Sequence, residues 1–430
     1  MEASYIIIML ILLGCMASMV PVFMCLFFTT VLAFVLFTNL PLMLLAQSFF
    51  RSMDNFALVV VLYFILCGNI MTAGSIVDRL IKVANLLVSW LPGGLAMAGV
   101  IGCGLFGAIS GSTVATVVAL GGFMIPALKE NGYKENFTLG IMTTSPNLGI
   151  IVPPSISMIL YSMISNVSLE GLFLTGFFPA FLIIFGFCLY SYFMSRKDKN
   201  IVRLPPPSAK EAWQIFKEGI WSIMLPIIIF GGIFSGVFTA NEAAVVACVY
   251  AFFIELVIHK AINFKDVKNI CVSSAVTSAS LLLIVAGAIC FGKYLTLEAI
   301  PAKIADFILA GIDTPLMFLI LINGFLIFVG MFIDVISATM ILVPVFLPML
   351  STFGIDPMHF GLIFTVNLAI AYCTPPMGVS LYIVGALAKR DLVFVSKAVL
   401  PFLIIQYAVL AIVTYQSEWV LWLPKMFGFM

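Results

Sequence analysis

Apolar runs of about 17 to 25 residues recur from one end of this chain to the other, separated by short polar joints. A helix of that length crosses the ~30 Å hydrocarbon core of a bilayer. Of the 430 residues, 63% are hydrophobic and only 9% are charged, which is typical of an integral membrane protein. The pattern predicts an all-α, polytopic membrane protein.

The first apolar run, from Tyr5 to about Phe37, is too long for a cleaved signal peptide and is interpreted as two spans that meet near Pro21. All nine cysteines lie in apolar segments, with no C-x-x-C motif and no pairing with histidine. Thiols in such a setting behave as small hydrophobic side chains. Neither a disulfide nor a metal site is therefore expected.

The basic residues predict the topology. The richest loop, residues 195–219, contains six Lys and Arg residues, and the positive-inside rule places it in the cytoplasm. Counting spans from this loop, the segment around Pro153 runs from inside to outside. The segment around Pro375 runs from outside to inside and ends at Lys389 and Arg390. Both chain termini fall outside the cytoplasm in this count.

Two Pro-Pro pairs interrupt apolar runs, at residues 153–154 and, 222 positions later, at 375–376. Residues 107–163 align on 329–385 without a gap, so the chain contains two similar halves of opposite orientation. A single proline in a membrane helix is commonly a simple kink. Matched breaks in inverted repeats are instead typical of secondary transporters, whose substrate and ion sites form at interrupted helices.

A second interruption faces each Pro-Pro break. Residues 94–129 must begin and end on the cytoplasmic side, and 316–350 on the outer side, so each is predicted to be a re-entrant helical hairpin. The tips lie near "GAISGST" and "VGMFIDVIS". Asp334, in the second tip, is the only acid of its apolar run and is a candidate functional residue. The alternative is a cap that accepts hydrogen bonds from backbone amides.

Two motif matches are rejected because their context is wrong. "GCGLFG" at 102–107 fits a dinucleotide-binding pattern but lies in an apolar hairpin without a β-α-β unit. "GAICFGKY" from Gly287 resembles a phosphate-binding loop but has tyrosine at the hydroxyl position. No H-E-x-x-H motif and no intramembrane acid pair occurs, so an enzyme is not expected.

Three stretches, "GAISGSTVATVVALGGFMIPALKENGY", "SPNLGIIVPPSISMILYS" and "LFLTGFFPA", together with "TPPMG" in the second half, resemble the large membrane (M) subunit of tripartite ATP-independent periplasmic (TRAP) transporters. The resemblance covers essentially the whole chain. It implies an elevator-type fold similar to the ion transporter superfamily, located in a bacterial inner membrane with periplasmic termini. It also implies sodium-driven uptake, a small four-helix membrane subunit and a periplasmic substrate-binding protein.

The resemblance further implies a division into a static scaffold and a moving transport domain. The scaffold would comprise 1–55, the span and arm helix 56–90, the helices with the basic loop 169–270, and the span and arm helix 271–312. The transport domain would comprise 91–168 and 313–390, with 391–430 as a C-terminal span and tail.

Site residues are also implied by the resemblance, with backbone carbonyls as the main sodium ligands. The first sodium (Na+) site would draw on Ser110, Ser112, Asn147, Gly149, Val152 and Pro154. The second would draw on Gly330, Asp334, Thr374 and Met377. Substrate contacts would come from Ser112, Ser155, Ser157, Asp334 and Thr374. Because Ser112 aligns with Asp334 and Asn147 with Ala369, the two ion sites are not expected to be chemically identical.

The expected substrate is an organic acid, such as sialic acid or a C4-dicarboxylate, because the family handles such compounds. No Lys or Arg occurs from Val83 to Leu128 or from Ile304 to Ala388, so a bound anion would meet helix N-termini, hydroxyl groups and sodium.

The alternatives are a stand-alone sodium-coupled dicarboxylate or citrate carrier of the elevator type and, more remotely, a membrane enzyme or receptor. Glu242 and Glu255, in an ordinary scaffold span, are interpreted as caps or as partners of neighbouring subunits.

Overall fold

The computed structural model describes residues 20–38, 41–198, 200–202, 207–300, 314–376 and 378–429, with 7–8, 10–12, 14–15, 18, 303 and 311–312 in addition. Within this part of the chain all regular structure is helical. In chain order the helices are α1 (Val22–Phe37), α2 (Met43–Met53), α3 (Ala57–Ala73), α4 (Ile76–Val88), α5 (Gly94–Ser110), α6 (Thr113–Glu130), α7 (Glu135–Thr144), α8 (Leu148–Ile151), α9 (Ile156–Ser165), α10 (Leu169–Arg196), α11 (Ala209–Phe234), α12 (Ala240–Phe253), α13 (Phe264–Leu297), α14 (Pro315–Gly330), α15 (Val335–Thr352), α16 (Pro357–Ala371), α17 (Val379–Ala388), α18 (Leu392–Tyr415) and α19 (Ser417–Met426).

Among the described residues, eight helices are long and apolar enough to cross a membrane. A ninth span results if Met43–Met53 and Leu58–Ala73, which meet at 51°, count as one. The predicted all-α polytopic class is confirmed. Pro21 immediately precedes α1, at the predicted junction of the first apolar run, whose earlier half lies partly outside the described residues.

Both predicted hairpin tips coincide with interruptions of a helix. Between α5 and α6 the chain turns in two residues, Gly111, at φ +60°, and Ser112. Glycine adopts this left-handed conformation without the strain that a side chain would add. Between α14 and α15 the turn takes four residues, Met331 to Asp334.

Both Pro-Pro pairs also break their helices. The first lies between α8 and α9, and the second lies between α16 and α17. Both Pro-Pro bonds are cis. The offset of 222 residues relates the two halves closely, since Thr113–Glu130 of α6 corresponds at both ends to Val335–Thr352 of α15.

Contacts at their ends show that the two broken helices run in opposite directions. At one end Arg390, just after α17, pairs with Glu135 at the start of α7, with Nη2 and Oε2 2.6 Å apart. At the other end the Tyr161 hydroxyl of α9 donates to the Pro357 carbonyl at the start of α16, over 2.6 Å. The end of each broken helix thus lies beside the start of the other.

The remaining loops separate into the same two ends. The Val202 N–H donates to the Asn131 carbonyl over 3.2 Å, which holds the basic loop near the start of α7. The C-terminal Phe429 lies against Gly171, at the opposite end of α10. The C-terminus and the basic loop therefore lie at opposite ends of the molecule, while the side of the membrane assigned to each end stays a prediction.

Candidate functional site

The first hairpin tip packs against the first helix break through glycines. A Cβ atom at Gly107 would lie 2.7 Å from the Gly149 Cα, and one at Gly111 would lie 2.7 Å from the Pro154 carbonyl oxygen. A Cβ at Gly149 would lie 2.8 Å from the Ser112 carbonyl oxygen. Glycine at these positions lets backbone approach backbone directly. The tip and the break therefore form a single surface.

Oxygen atoms concentrate at this tip. The Ser110 and Thr116 hydroxyl oxygens are 3.3 Å apart, and Thr116 Oγ1 donates to the Ser112 carbonyl over 2.7 Å. Ser112 caps α6 by accepting from the Ala115 N–H at 3.4 Å. Of the residues assigned to the first ion site, Ser110, Ser112, Gly149 and Pro154 lie together here.

The prolines free specific carbonyl groups. In a continuous helix the carbonyls of Gly149 and Ile150 would accept from residues 153 and 154, but both of these are prolines and carry no N–H. Val152 has already left the helical conformation, at φ −73° and ψ 129°. The break thus presents carbonyl oxygens that the helix itself cannot satisfy.

Beyond the break, two serines begin α9. Ser155 and Ser157 are buried, and their hydroxyl oxygens are 2.9 Å apart. Ser155 precedes the helix without capping it through its side chain. Two hydroxyls at a helix N-terminus provide donors where the helix dipole favours negative charge.

The second hairpin tip carries a carboxylate. Asp334 is the residue before α15, and its Oδ2 accepts from the Ser337 N–H at 3.0 Å. The next amide, that of Val335, donates to the Tyr372 hydroxyl over 3.1 Å. The cap weighed above as the alternative for Asp334 is therefore present, and it equals the Ser112 cap of the first half in position. A cap leaves the second carboxylate oxygen for other partners.

Gly330, at the end of α14, contacts α16 just before the second break, and Thr374 lies within that break. Gly330 packs against Ala371 and Leu368, again without room for a side chain. Thr374 Oγ1 donates to the Ile370 carbonyl at 2.9 Å and lies 3.0 Å from the Tyr407 hydroxyl oxygen. Met377, also assigned to this site, lies outside the described residues.

The Asn147 side chain does not bond to the first hairpin tip, although the sequence assigned it to the first ion site. Its hydrogen-bonding partners are in the second half and in α18. Nδ2 donates to Gln406 Oε1 at 3.4 Å, and Oδ1 accepts from the Cys373 thiol at 3.3 Å. Gln406 Nε2 in turn donates to the Thr144 carbonyl at 3.2 Å. The Asn147 side chain therefore joins the two helix breaks instead of the first tip.

A family model for the tripartite ATP-independent periplasmic transporter, DctM component, matches residues 8–419 of this chain. The chain belongs to this family. It is 34% identical over 439 residues to the C4-dicarboxylate TRAP transporter large permease protein of Rhodobacter capsulatus, covering 99% of this chain and 100% of the relative. It is 35% identical over 416 residues to the sialic acid TRAP transporter large permease protein of Vibrio cholerae, covering 96% and 97%.

The fold has a solved counterpart at low sequence identity. The YdaH transporter of Alcanivorax borkumensis, a crystal structure with an unusual topology, matches with a TM-score of 0.64 and 16% identity. The match covers 88% of this chain and 89% of that one. This likeness supports the fold alone. The family is tripartite, its members are transporter permeases, and this chain is a multi-pass membrane protein of that kind.

In this TRAP permease the site offers oxygen atoms and almost no charge. Among the described residues no group of three or more His, Cys, Asp or Glu side chains could hold a metal ion. The hydroxyls of Ser145 and Ser337 are buried and form no hydrogen bond within the described part of the chain. Carbonyl, hydroxyl and carboxylate oxygens suit hard cations.

Sequence reasoning identified the two tips and breaks but not the groups that support them. Tyr372, Cys373, Gln406 and Tyr407 all bond to residues of the site. Tyr372 and Cys373 adjoin the "TPPMG" motif, which was a usable signal. Gln406 and Tyr407 lie in an ordinary apolar span. The one usable signal there was the Gln406 side chain, because a polar residue within an apolar span is a candidate functional residue.

Proposed function

We propose that this chain is the large membrane subunit of a sodium-coupled TRAP transporter that imports an organic acid by an elevator mechanism. The substrate would arrive on a periplasmic binding protein, and a small four-helix membrane subunit would complete the transporter. The observation that carries the proposal is the repeated unit: a hairpin tip packed against a Pro-Pro helix break, present once in each half and related by 222 residues.

The ion chemistry supports sodium as the coupling ion. The first tip lies beside the Gly149 and Ile150 carbonyl groups, which its helix break releases, and it adds the Ser110 and Ser112 side chains. The second adds Asp334, whose charge a cation would balance in a low-dielectric setting. We assign the first ion to the surface between Ser112 and Gly149, and the second to the surface between Asp334 and Thr374.

The substrate class rests on the absence of basic residues and on the relatives. The first hairpin contains no Lys or Arg before Lys129, and the second half contains none from 314 to 388. A carboxylate would therefore bind hydroxyl groups such as Ser155 and Ser157, helix N-termini and the sodium ions. Relatives are named for C4-dicarboxylates, sialic acid and isethionate, and these names support an organic acid without selecting one.

Uptake into proteoliposomes is the decisive experiment. The chain and its small subunit are reconstituted into liposomes, and the binding protein and each candidate acid are added outside under an inward sodium gradient. We expect uptake only with sodium and with the binding protein. Uptake without the binding protein would favour the stand-alone dicarboxylate or citrate carrier, and uptake unaffected by replacing sodium with potassium would refute sodium coupling.

The proposed orientation has a separate test. We place both termini in the periplasm of an inner-membrane protein. A single cysteine introduced by Glu2→Cys should react with an impermeant reagent added to the periplasmic side of oriented vesicles. Labelling from the cytoplasmic side alone would reverse the topology.

A further inference from the structure

One buried carboxylate belongs to neither hairpin and to neither broken helix. Glu255 follows α12 in a wider helical turn, Ile254–Ile258, and its side chain has no exposed surface. Wide turns of this kind are rare and are frequent at functional positions. An acid buried inside a membrane span is by default a candidate for a role.

The Glu255 side chain binds the elbow between α3 and α4. Oε1 accepts from two consecutive backbone amides, Ser75 N–H and Ile76 N–H, each at 2.7 Å. Oε2 accepts from the Ser75 hydroxyl at 3.2 Å. The partners are 180 and 179 residues away in sequence. Hydrogen bonds that backbone amides donate to a carboxylate are among the strongest that proteins form.

These bonds replace the local cap that α4 lacks. Ser75 precedes α4, yet its side chain accepts no bond from the amides of its own helix. Glu255 supplies the acceptor from a different helix, at the end of α4 where the helix dipole favours negative charge. Gly74 completes the fit, because a Cβ there would overlap the Glu255 carboxylate. The start of α4 is thus fixed to the end of α12.

Neighbouring groups hold the same joint. Arg79 Nε donates to the Ser75 hydroxyl at 3.3 Å, and its Nη1 donates to the Glu218 carbonyl of α11 at 3.0 Å. His259 Nδ1 lies 3.1 Å from the Ser75 hydroxyl oxygen. Burial, reinforced by the Arg79 charge, lowers the pKa of His259 to about 4. His259 Nδ1 lies 3.6 Å from Glu255 Oε2, a longer contact than the 2.7 Å bonds from the elbow amides.

The elbow determines where the first hairpin starts. α4 packs along α5, the first helix of that hairpin, and also along α11. After α4 the chain reaches α5 through a short turn that includes Gly93, at φ +82°. A change in the angle at Gly74 and Ser75 would therefore be passed through α4 to the base of the hairpin that carries Ser110 and Ser112.

We infer that Glu255 is a positioning residue for transport: it fixes the α3–α4 elbow to the end of α12, so that α4 is a rigid mount for the first hairpin. The transport part of this inference rests on the proposed function. Releasing the elbow would leave two amides and a carboxylate without partners in a buried setting, which is costly. The joint therefore holds its angle.

A variant series separates this role from simple capping of α4. Glu255→Leu removes the bond to the elbow at similar volume. Glu255→Leu combined with Ser75→Asp gives α4 a local cap but does not restore the bond to α12. Glu242→Leu is the matched control: this acid caps its own helix at the start of the same span, through bonds to Thr239 alone.

Two measurements are made on each variant in the full transporter. Spin labels at Lys82→Cys in α4 and Val249→Cys in α12, in a background without reactive native cysteines, report the distance distribution across the joint. Uptake per folded molecule is measured together with its dependence on sodium and on loaded binding protein. Melting temperature in detergent gives the stability of each variant.

For Glu255→Leu we expect a broadened distance distribution and an uptake rate about tenfold lower, the scale of one lost charge-assisted hydrogen bond. The half-saturating sodium concentration should stay within about twofold of wild type. The double variant should recover melting temperature but not uptake, and Glu242→Leu should keep the narrow distribution.

An unchanged distribution in Glu255→Leu, or recovery of uptake in the double variant, would overturn the inference. If wild-type uptake does not depend on sodium concentration, the proposed function is refuted instead. The distance measurement would still decide whether Glu255 fixes the joint.

Discussion

Replacing Gly107 by alanine tests whether the contact between the first tip and the first break forms the ion site. The added methyl carbon would lie 2.7 Å from Gly149 Cα and 2.9 Å from Gly149 N. Both are backbone atoms of a buried segment, so no side chain can rotate to make room. Carbon atoms in contact are ordinarily 3.5–4.0 Å apart. The tip must therefore move about 0.8 Å away from the break.

The cost in stability is expected to be small. Extra volume in a packed interior costs about 1–3 kcal/mol, and alanine in place of glycine within a helix returns about 1 kcal/mol. The net loss should be about 0–2 kcal/mol, so the variant should fold. The effect on binding should be larger. A sodium ion bound between the Ser112 region and the Gly149 region would lie farther from its ligands once the tip and the break separate, and it would bind more weakly.

The assay is sodium-dependent uptake in proteoliposomes that contain the complete transporter. For Gly107→Ala we expect a half-saturating sodium concentration raised about tenfold, which corresponds to about 1.4 kcal/mol. Gly102→Ala, on the same helix, is the matched control. Its methyl would lie 3.4 Å from Leu120 Cδ2 and 3.5 Å from Ile81 Cγ1, which is ordinary contact. That variant should retain the wild-type sodium dependence.

Equal sodium dependence in Gly107→Ala and wild type, with both proteins folded, would show that the first ion does not lie between this tip and this break. A shift of equal size in Gly102→Ala would show that the effect comes from the helix and not from the contact.

The other predictions concern charges and amides. Asparagine caps a helix as well as aspartate does, so Asp334→Asn should melt within a few degrees of wild type but need more sodium for half-maximal uptake, with high sodium restoring the rate. Ser112→Ala should shift the sodium dependence less, because carbonyl groups remain. Arg390→Leu removes two hydrogen bonds to Glu135, and because the side chains are 48% and 26% exposed the melting temperature should fall only slightly, and less in high salt, as melting curves at two salt concentrations would show. Gln406→Met leaves the Asn147 Nδ2 group without its Gln406 acceptor and should both lower the melting temperature and raise the sodium requirement; a change in melting temperature alone would contradict a role at the site.

The positions of the breaks could be predicted because their causes are local. Proline removes an N–H and glycine permits a left-handed turn, and both effects act within a few residues. The Pro-Pro pair recurs 222 positions later, so the second half repeated this part of the evidence. The turn at Gly111 and Ser112 and the break before Ser155 are consequences of this kind.

The partners of the site residues could not be predicted, because they come from distant parts of the chain. Asn147 bonds to Gln406, 259 residues away, and to Cys373, 226 residues away. Nothing in the pattern around Asn147 distinguishes a side chain that faces the first tip from one that faces the second break. The same limit applied to Glu255: a cap was one of the two roles predicted for it, but its partners at Ser75 and Ile76 were not predicted.

Helix α10 illustrates a third limit. Family resemblance placed residues 169–270 in the scaffold, and that division stays a prediction. In the structure α10 packs against α5, α16 and α18. α10 also packs closely against α8 and α9 at Gly176: a Cβ atom there would lie 3.1 Å from Met158 Cε and would meet the Ile151 carbonyl. An all-apolar helix shows the same sequence pattern whichever neighbours it has, so its packing cannot be obtained from periodicity.

The bonds between the breaks bear on how a transporter of this kind could move. The Cys373 thiol, in the second break, lies 3.0 Å from the Thr143 carbonyl oxygen and 3.3 Å from Asn147 Oδ1, both in the first broken helix, and its single S–H donates to one of them or is shared between the two. All three residues are fully buried. Separating the two breaks would leave these groups unpaired in a setting without water, at about 1–3 kcal/mol for each. Rocking of one half against the other, which opens the surface between them, is therefore disfavoured. Movement of both breaks as one body leaves these bonds intact, as the proposed elevator mechanism requires.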